Sequence, residues 1–245
     1  GTCPQGQALF FTTEDEPATA IVPRLKACGA DLTQIHYMHG TTDDPDDDNE
    51  NARRLKLNTD IELLEEEIQR LGNVKLLIFD PLEDYIDGDS NNNKEVRTAL
   101  TTLKAMAQRQ DIAVVAVHHI NKRSKDVSAV QTAGGAGAWT QVPRSVLHII
   151  TDPEDDNVSF TRRRLMVCTK SNYGGDNQAQ AYRLTEGQYP RIEWIPEVLE
   201  VCANSVIRTS IQSEDGRKKT DKRESAISDL YEIMQDGPVE SKEID

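Results

Sequence analysis

The sequence predicts an α/β fold with a mostly parallel sheet flanked by helices. Short apolar strands alternate with amphipathic helical stretches, and the central strands are apolar on both faces, as strands covered on both sides must be. A third observation concerns function. Glu14-Asp15, Asp80, His118-His119 and Lys170 each follow or end a predicted strand, and in such sheets the chemistry gathers at the carboxyl ends of the strands.

The elements follow in order. Residues 7–13 form a short apolar run after a Pro/Gly turn, hence a buried strand. Residues 18–28 place Ile21, Val22, Leu25 and Cys28 at helical spacing, and Gly29 stops them. A strand over 34–39 leads into an acidic, polar and mobile loop over 40–58. Thr59 or Asp60 caps a helix carrying Ile61, Leu64, Ile68 and Leu71 on one face, ended by Gly72. Val74 to Phe79 is a buried strand that delivers Asp80-Pro81. A helix over 92–109 turns Val96, Leu100, Leu103 and Met106 inward, and a strand over 112–117 ends in His118-His119. After a polar loop and a glycine-rich stretch, strands are expected at 145–150 and 165–169, then a hairpin over 181–184 and 191–194. Residues 1–204 read as one core, 205–222 as a linker, and 223–245 as the start of a further small domain. Gly1 in place of Met, and an end partway through a new pattern, read as cut termini.

Composition bounds the function. The 245 residues carry a formal net charge of −14, which argues against non-specific coating of nucleic acid. The charge is uneven, with acid concentrated at 43–50 and 62–67 and base at 162–164 and 217–219. Cys3, Cys28, Cys168 and Cys202 show no C-x-x-C spacing, so neither a zinc site nor a disulfide framework is expected, and a cytoplasmic location follows. No apolar run approaches the length of a membrane span.

Several residues have the chemistry for a site, and each also has a plainer reading. Asp80, at the end of Val-Lys-Leu-Leu-Ile-Phe, can orient the waters of a magnesium ion or cap the turn before Pro81. Glu14 can polarise an attacking water; Glu14 and Asp15 can equally cap the following helix. His118 and His119 point to opposite faces of a strand, which excludes a shared metal. One of them can sense a phosphate, or the pair can pack in a turn. Arg144 and Lys170 sit at element boundaries, where a cation either meets phosphate or faces solvent.

In this order the motifs resemble the RepA-like branch of the RecA-fold AAA ATPases, relatives of hexameric replicative helicases. The carriers are Thr13-Glu14-Asp15 with Arg24-Leu25-x-x-x-Gly29, Leu-Ile-Phe-Asp-Pro-Leu at 77–82, Val-His-His-x-Asn-Lys at 117–122, Ala-Gly-Gly-x-Gly-Ala at 133–138, Pro-Arg-Ser-Val at 143–146 and Thr-Lys-Ser-Asn-Tyr-Gly at 169–174. The resemblance covers residues 5–195. It implies a RecA-like P-loop NTPase core, ATP and Mg2+ as ligands, and a homo-oligomeric ring, hexameric in the family. It makes Glu14 the catalytic glutamate, Asp80 the Walker B carboxylate, His119 the γ-phosphate sensor, and Arg144 with Lys170 a pair acting on ATP held by the neighbouring subunit. It also makes 121–138 a channel loop whose Lys122, Arg123 and Lys125 meet single-stranded DNA. The family's G-x-x-x-x-G-K-S/T element, which cradles the phosphates, occurs nowhere in these residues. The polypeptide is therefore expected to be inactive alone and poorly soluble, as part of an ATPase. Residues 223–245, with Gly-Pro-Val-x-x-Lys-Glu-Ile, resemble the opening of a winged-helix domain. Two other readings remain: a non-catalytic interaction module on the same body, and a nucleotide-regulated switch of the KaiC type.

Overall fold

The computed structural model describes residues 3–38, 40, 53–119, 136–157, 159–175 and 178–211. A parallel sheet has the order β2-β1-β3-β4, built from β1 (Gln7–Thr12), β2 (Ile35–Tyr37), β3 (Val74–Asp80) and β4 (Ala113–Ala116). Helices α1 (Val22–Ala27), α2 (Ile61–Leu71) and α3 (Asn93–Gln110) connect its strands. The α1 segment begins as a wider turn over Pro17–Ile21, so the helical run foreseen at 18–28 is present. The mostly parallel sheet with helical flanks is thus observed.

Strand register separates the two faces of this sheet. Leu9 lies beside Leu77 and Phe11 beside Phe79, and all four are buried under α2 and α3 with Leu64, Ile68, Val96, Leu103 and Met106. The rings of Phe11 and Phe79 stack 4.5 Å apart, with Tyr85 edge-on to both. Each such side chain contributes about 1.5–3 kcal/mol by leaving water. The alternate residues Phe10, Ile78 and Val115 form a row on the other face, and Val115 remains 53% exposed. Thr12 and Asp80 continue that face to the carboxyl end of the sheet.

The helix ends follow local chemistry. Asn92 caps α3 by accepting from the Lys94 N–H at 3.0 Å. Asp60 precedes α2, but its carboxylate is turned back to Arg53 and to the Lys56 N–H. Gly72 ends α2 at φ 90, a left-handed conformation that a β-carbon disfavours.

Two sequence expectations are corrected. Residues 53–58 are not part of a mobile polar loop: Leu55 and Leu57 are fully buried in the core, and Lys56 Nζ donates to the carbonyls of Asp84 and Ile86. The run of polar neighbours hid two alternating leucines. Residues 205–211, expected to belong to a linker, continue from 203–204 as a helix, α5 (203–211). Its Ala203 and Ile207 are buried, and Ser210 Oγ donates to the Thr151 carbonyl at 2.8 Å.

That helix covers a second, antiparallel sheet of order β5-β6-β7-β8: β5 (Ser145–Thr151), β6 (Arg164–Ser171), β7 (Gln178–Leu184) and β8 (Ile192–Glu200). The expected hairpin is its β7–β8 pair, longer than its apolar centre suggests. A short helix, α4 (Ala138–Gln141), leads into β5. His148, in β5, is 4% exposed, and burial holds its imidazole below the ordinary value of 6.5. A depressed histidine contributes stability above its unfolded value, and this is lost as pH falls through the folded value. The unfolding midpoint is therefore expected to drop as pH decreases below 6.5, and a His148→Gln variant to lose that slope in melts across the range.

Candidate functional site

Three strand ends converge at the carboxyl edge of the parallel sheet. Beyond β1 the chain turns sharply. Thr12 Oγ1 accepts from the N–H groups of Glu14 and Asp15, both at 3.3 Å, and the Thr13 N–H donates to the Asp80 carbonyl at 3.2 Å. This local turn lifts Glu14 off the sheet. Asp15 takes no cap role; it pairs with Arg24 at 2.6 Å, and the helical run has no side-chain cap. Glu14 is therefore left for the site, and its Oε1 stands 3.0 Å from His119 Nε2. The two groups come from segments 105 residues apart in sequence, so only the parallel topology joins them.

Asp80 ends β3 on the same face. Its carboxyl is held above the ordinary 3.8, first by burial and then by the charges of Glu14 and Asp15, with Glu83 adding and His119 opposing. A carboxylate crowded by other carboxylates is relieved by a cation. The residues thus fit a hard divalent ion held through water, with Asp80 as the orienting group. Among the described residues no cluster of three or more acidic, histidine or cysteine side chains is arranged to hold a metal. The sign gives a prediction. A carboxyl raised in the folded state contributes stability below its unfolded value, lost as pH rises through the folded one. Asp80→Asn is expected to raise the melting midpoint near neutral pH by about 1–2 °C, discounted for solvent screening. The gain should vanish in melts below pH 3.8.

His118 faces away from His119. Its ring stacks on Trp139 of α4 at 4.0 Å and 14°, and its Nδ1 lies 2.8 Å from Glu83 Oε1. The expected separation of the two histidines is observed, and with it a contact of Glu83, which was not among the site residues expected from the sequence. Thr13 Oγ1 donates to Asp84 Oδ2 at 2.5 Å, and Arg54 joins the same oxygen at 3.2 Å. Glu83 and Asp84 follow Asp80 by three and four residues. A strand-end turn places such residues beside the strand end, and that spacing was the available signal.

Arg144 and Lys170 gather elsewhere, where β5 starts and β6 ends. Arg144 is exposed, its guanidinium 5.7 Å from the centre of the Tyr173 ring, and its carbonyl accepts from the Asn172 N–H. Lys170 Nζ donates to the carbonyls of Thr140, Gln141 and Pro143 at 2.9, 2.8 and 2.7 Å. All three ammonium donors are therefore engaged, and Lys170 shapes the loop that presents Arg144. Burial, then Lys104, holds its pKa below the usual lysine value. Among the described contacts neither cation touches Glu14, Asp80 or His119. Lys122, Arg123 and Lys125 lie outside the described residues, as do 223–245.

Comparison with known proteins bears on this arrangement. A family model described as an AAA domain matches residues 2–125, which include Glu14, Asp80 and His119. The search of curated proteins returned no match. Among solved structures, the fold is similar to that of a KaiC-like protein from the hyperthermophilic archaeon Pyrococcus horikoshii. The two are 12% identical, 78% of this chain and 77% of that one are covered, and the TM-score is 0.51. The flagellar accessory protein FlaH from Methanocaldococcus jannaschii matches at 10% identity over 77% of each chain, with a TM-score of 0.48. None of the described helices is long and apolar enough to cross a membrane.

Proposed function

Because this chain belongs to the AAA domain family of RecA-fold ATPases, we propose that it forms the body of an ATP-hydrolysing ring motor acting on DNA, a relative of RepA-like replicative helicases. The observation that carries the reading is the 3.0 Å approach of Glu14 to His119 beside Asp80. A general base, a neutral or charged donor and a metal-orienting carboxylate are the parts that phosphoryl transfer to water requires.

In the proposed reaction a water oxygen attacks the γ-phosphorus, and the bond to the bridging oxygen of ADP breaks. Glu14 takes the proton that the water loses, and its position against His119 fixes which water is activated. His119 donates to a γ-phosphate oxygen and so registers whether that phosphate is present. Asp80 orients the waters of Mg2+, and the ion, when bound, neutralises charge on the phosphates. Arg144, which has no described contact with these groups within one chain, reaches the ATP of the next subunit. The site is then complete only at an interface, which explains a homo-oligomeric ring, a hexamer in the RepA-like form. Single-stranded DNA in the central channel meets Lys122, Arg123 and Lys125, and the setting is the cytoplasm.

The 245 residues contain no G-x-x-x-x-G-K-S/T run. Backbone amides of that kind give ATP most of its hold, so on this reading these residues alone bind ATP weakly and turn over none. A second reading is a RecA-like interaction module without catalysis. The experiment that separates them uses the full-length protein, with ATP turnover measured with and without single-stranded DNA and with a forked duplex as substrate. DNA-stimulated turnover with strand separation supports the motor. Turnover indifferent to DNA points to a KaiC-type switch, and no turnover to the interaction module.

A further inference from the structure

We infer that Glu83 is a positioning residue for the Glu14–His119 pair, acting through the peptide N–H of His119 and the ring of His118. The inference rests on the hydrolytic reading of that pair and goes beyond it by naming what holds His119 in place.

One oxygen of Glu83 does two things. Its Oε1 accepts the His119 N–H at 3.2 Å and lies 2.8 Å from His118 Nδ1. The two histidines project to opposite sides, so an atom bound to the backbone of one and the ring of the other fixes the twist of the chain between them. That control falls where the sheet stops supplying it: β4 ends at Ala116, and the last ladder bonds are those of Val117 with Phe79 and Leu82. Beyond Val117, Glu83 and the stacking of His118 on Trp139 are among the ties that hold this stretch, beside the contact of the His119 ring with Glu14. Trp139 is itself anchored, with its Nε1 donating to the Ser90 carbonyl at 3.3 Å and its neighbour Ala138 to Asn93 Oδ1 at 2.8 Å. The ring of His118 is thus clamped between a carboxylate and an indole.

Burial pushes the Glu83 carboxyl up, yet bonds from His118, from its own backbone and from the His119 N–H outweigh this and hold it below the ordinary range. Glu83 also sits in the turn directly after Asp80-Pro81. The group that aims His119 and the carboxylate that orients the metal therefore belong to one short rigid segment, and a shift in one is felt by the other.

The test uses Glu83→Ala and Glu83→Gln. In the chain itself, amide hydrogen exchange at His119 is expected to accelerate about tenfold in Glu83→Ala and to stay near wild type in Glu83→Gln, which retains an acceptor oxygen. In the full-length protein, Glu83→Ala is expected to lower kcat about 10- to 100-fold with KM for ATP nearly unchanged, and Glu83→Gln to recover most of the loss. In a His119→Ala background, Glu83→Ala should cost nothing further, because its action passes through His119. Far-UV circular dichroism checks that the variants are folded; should Glu83→Ala not fold, the exchange and kinetics of Glu83→Gln with Trp139→Leu decide, and the latter must reproduce the loss of kcat. Unchanged exchange at His119, or an equal kcat loss with and without His119, overturns the inference. Faster exchange in Glu83→Ala, combined with full turnover by His119→Ala, leaves the positioning role standing and defeats the hydrolytic reading instead.

Discussion

Replacing Glu14 by Gln is expected to lower ATP turnover by the full-length protein about 10²- to 10⁴-fold, the usual contribution of a positioned general base. Glutamine keeps the size and the hydrogen bond to His119 Nε2, which stands 3.0 Å away, but it cannot take the proton that an attacking water must lose. Nucleotide affinity should therefore persist while kcat collapses. Glu14 is half exposed, and its described side-chain contact is with His119, which gives it little part in stability. The melting midpoint should consequently change little. Equilibrium binding of a fluorescent ATP analogue and phosphate release, measured on the same preparation, separate the two effects. A variant that hydrolyses ATP at the wild-type rate would remove Glu14 from the chemistry.

Arg144→Ala is expected to cost about 10³-fold or more in turnover, as loss of an arginine that stabilises transferring phosphate does. The more decisive result lies in mixtures. Glu14→Gln subunits and Arg144→Ala subunits are each expected to be nearly inactive alone. When combined, some interfaces pair an intact Glu14 from one subunit with an intact Arg144 from the next, and activity should return. The expectation rests on the proposed ring: Arg144 is exposed beside Tyr173 at the start of β5, on a loop pinned by Lys170 through three carbonyls, while Glu14 meets His119. Lys170→Met should weaken turnover through the presentation of Arg144 and lower the melting midpoint as well, which separates its support of the loop from direct phosphate contact. Mixtures that stay inactive at every ratio would place Arg144 outside the reaction.

The parallel sheet was legible because its strands carry near-continuous apolar runs and each is closed by a polar group. Val74 to Asp80 and Ile112 to His119 are examples. The set Glu14, Asp80 and His119 could be assembled from motif order, and the parallel register Thr12 to Asp80 brings their strand ends level. The hairpin of β7 and β8 was legible, but the antiparallel pairing of β5 with β6 and of β6 with β7 was hidden, since apolar alternation in a strand does not state the direction of its neighbour. Leu55 and Leu57 were missed because two leucines among Arg, Lys and Asn present no helical or strand period long enough to read. The clamp of Glu83, His118 and Trp139 was likewise unreadable. Trp139 enters it from a segment 21 residues after His118, as subtraction of their positions gives, and no local pattern marks that contact. Lys170 shows the limit of reading a cation from its place in an element. It lies at a strand end as expected, but three carbonyls claim its donors.

On the proposed function, ATP is hydrolysed at the carboxyl edge of the parallel sheet, between Glu14 and His119 and beside Asp80. The most direct measurement is a structure of the full-length protein with Mg2+ and a non-hydrolysable ATP analogue. The account predicts the γ-phosphate within hydrogen-bonding reach of His119, a water between it and Glu14, the ion's waters against Asp80, and Arg144 arriving from the adjacent subunit. A nucleotide seated away from this edge, or a γ-phosphate that meets neither His119 nor a Glu14-bound water, would contradict it.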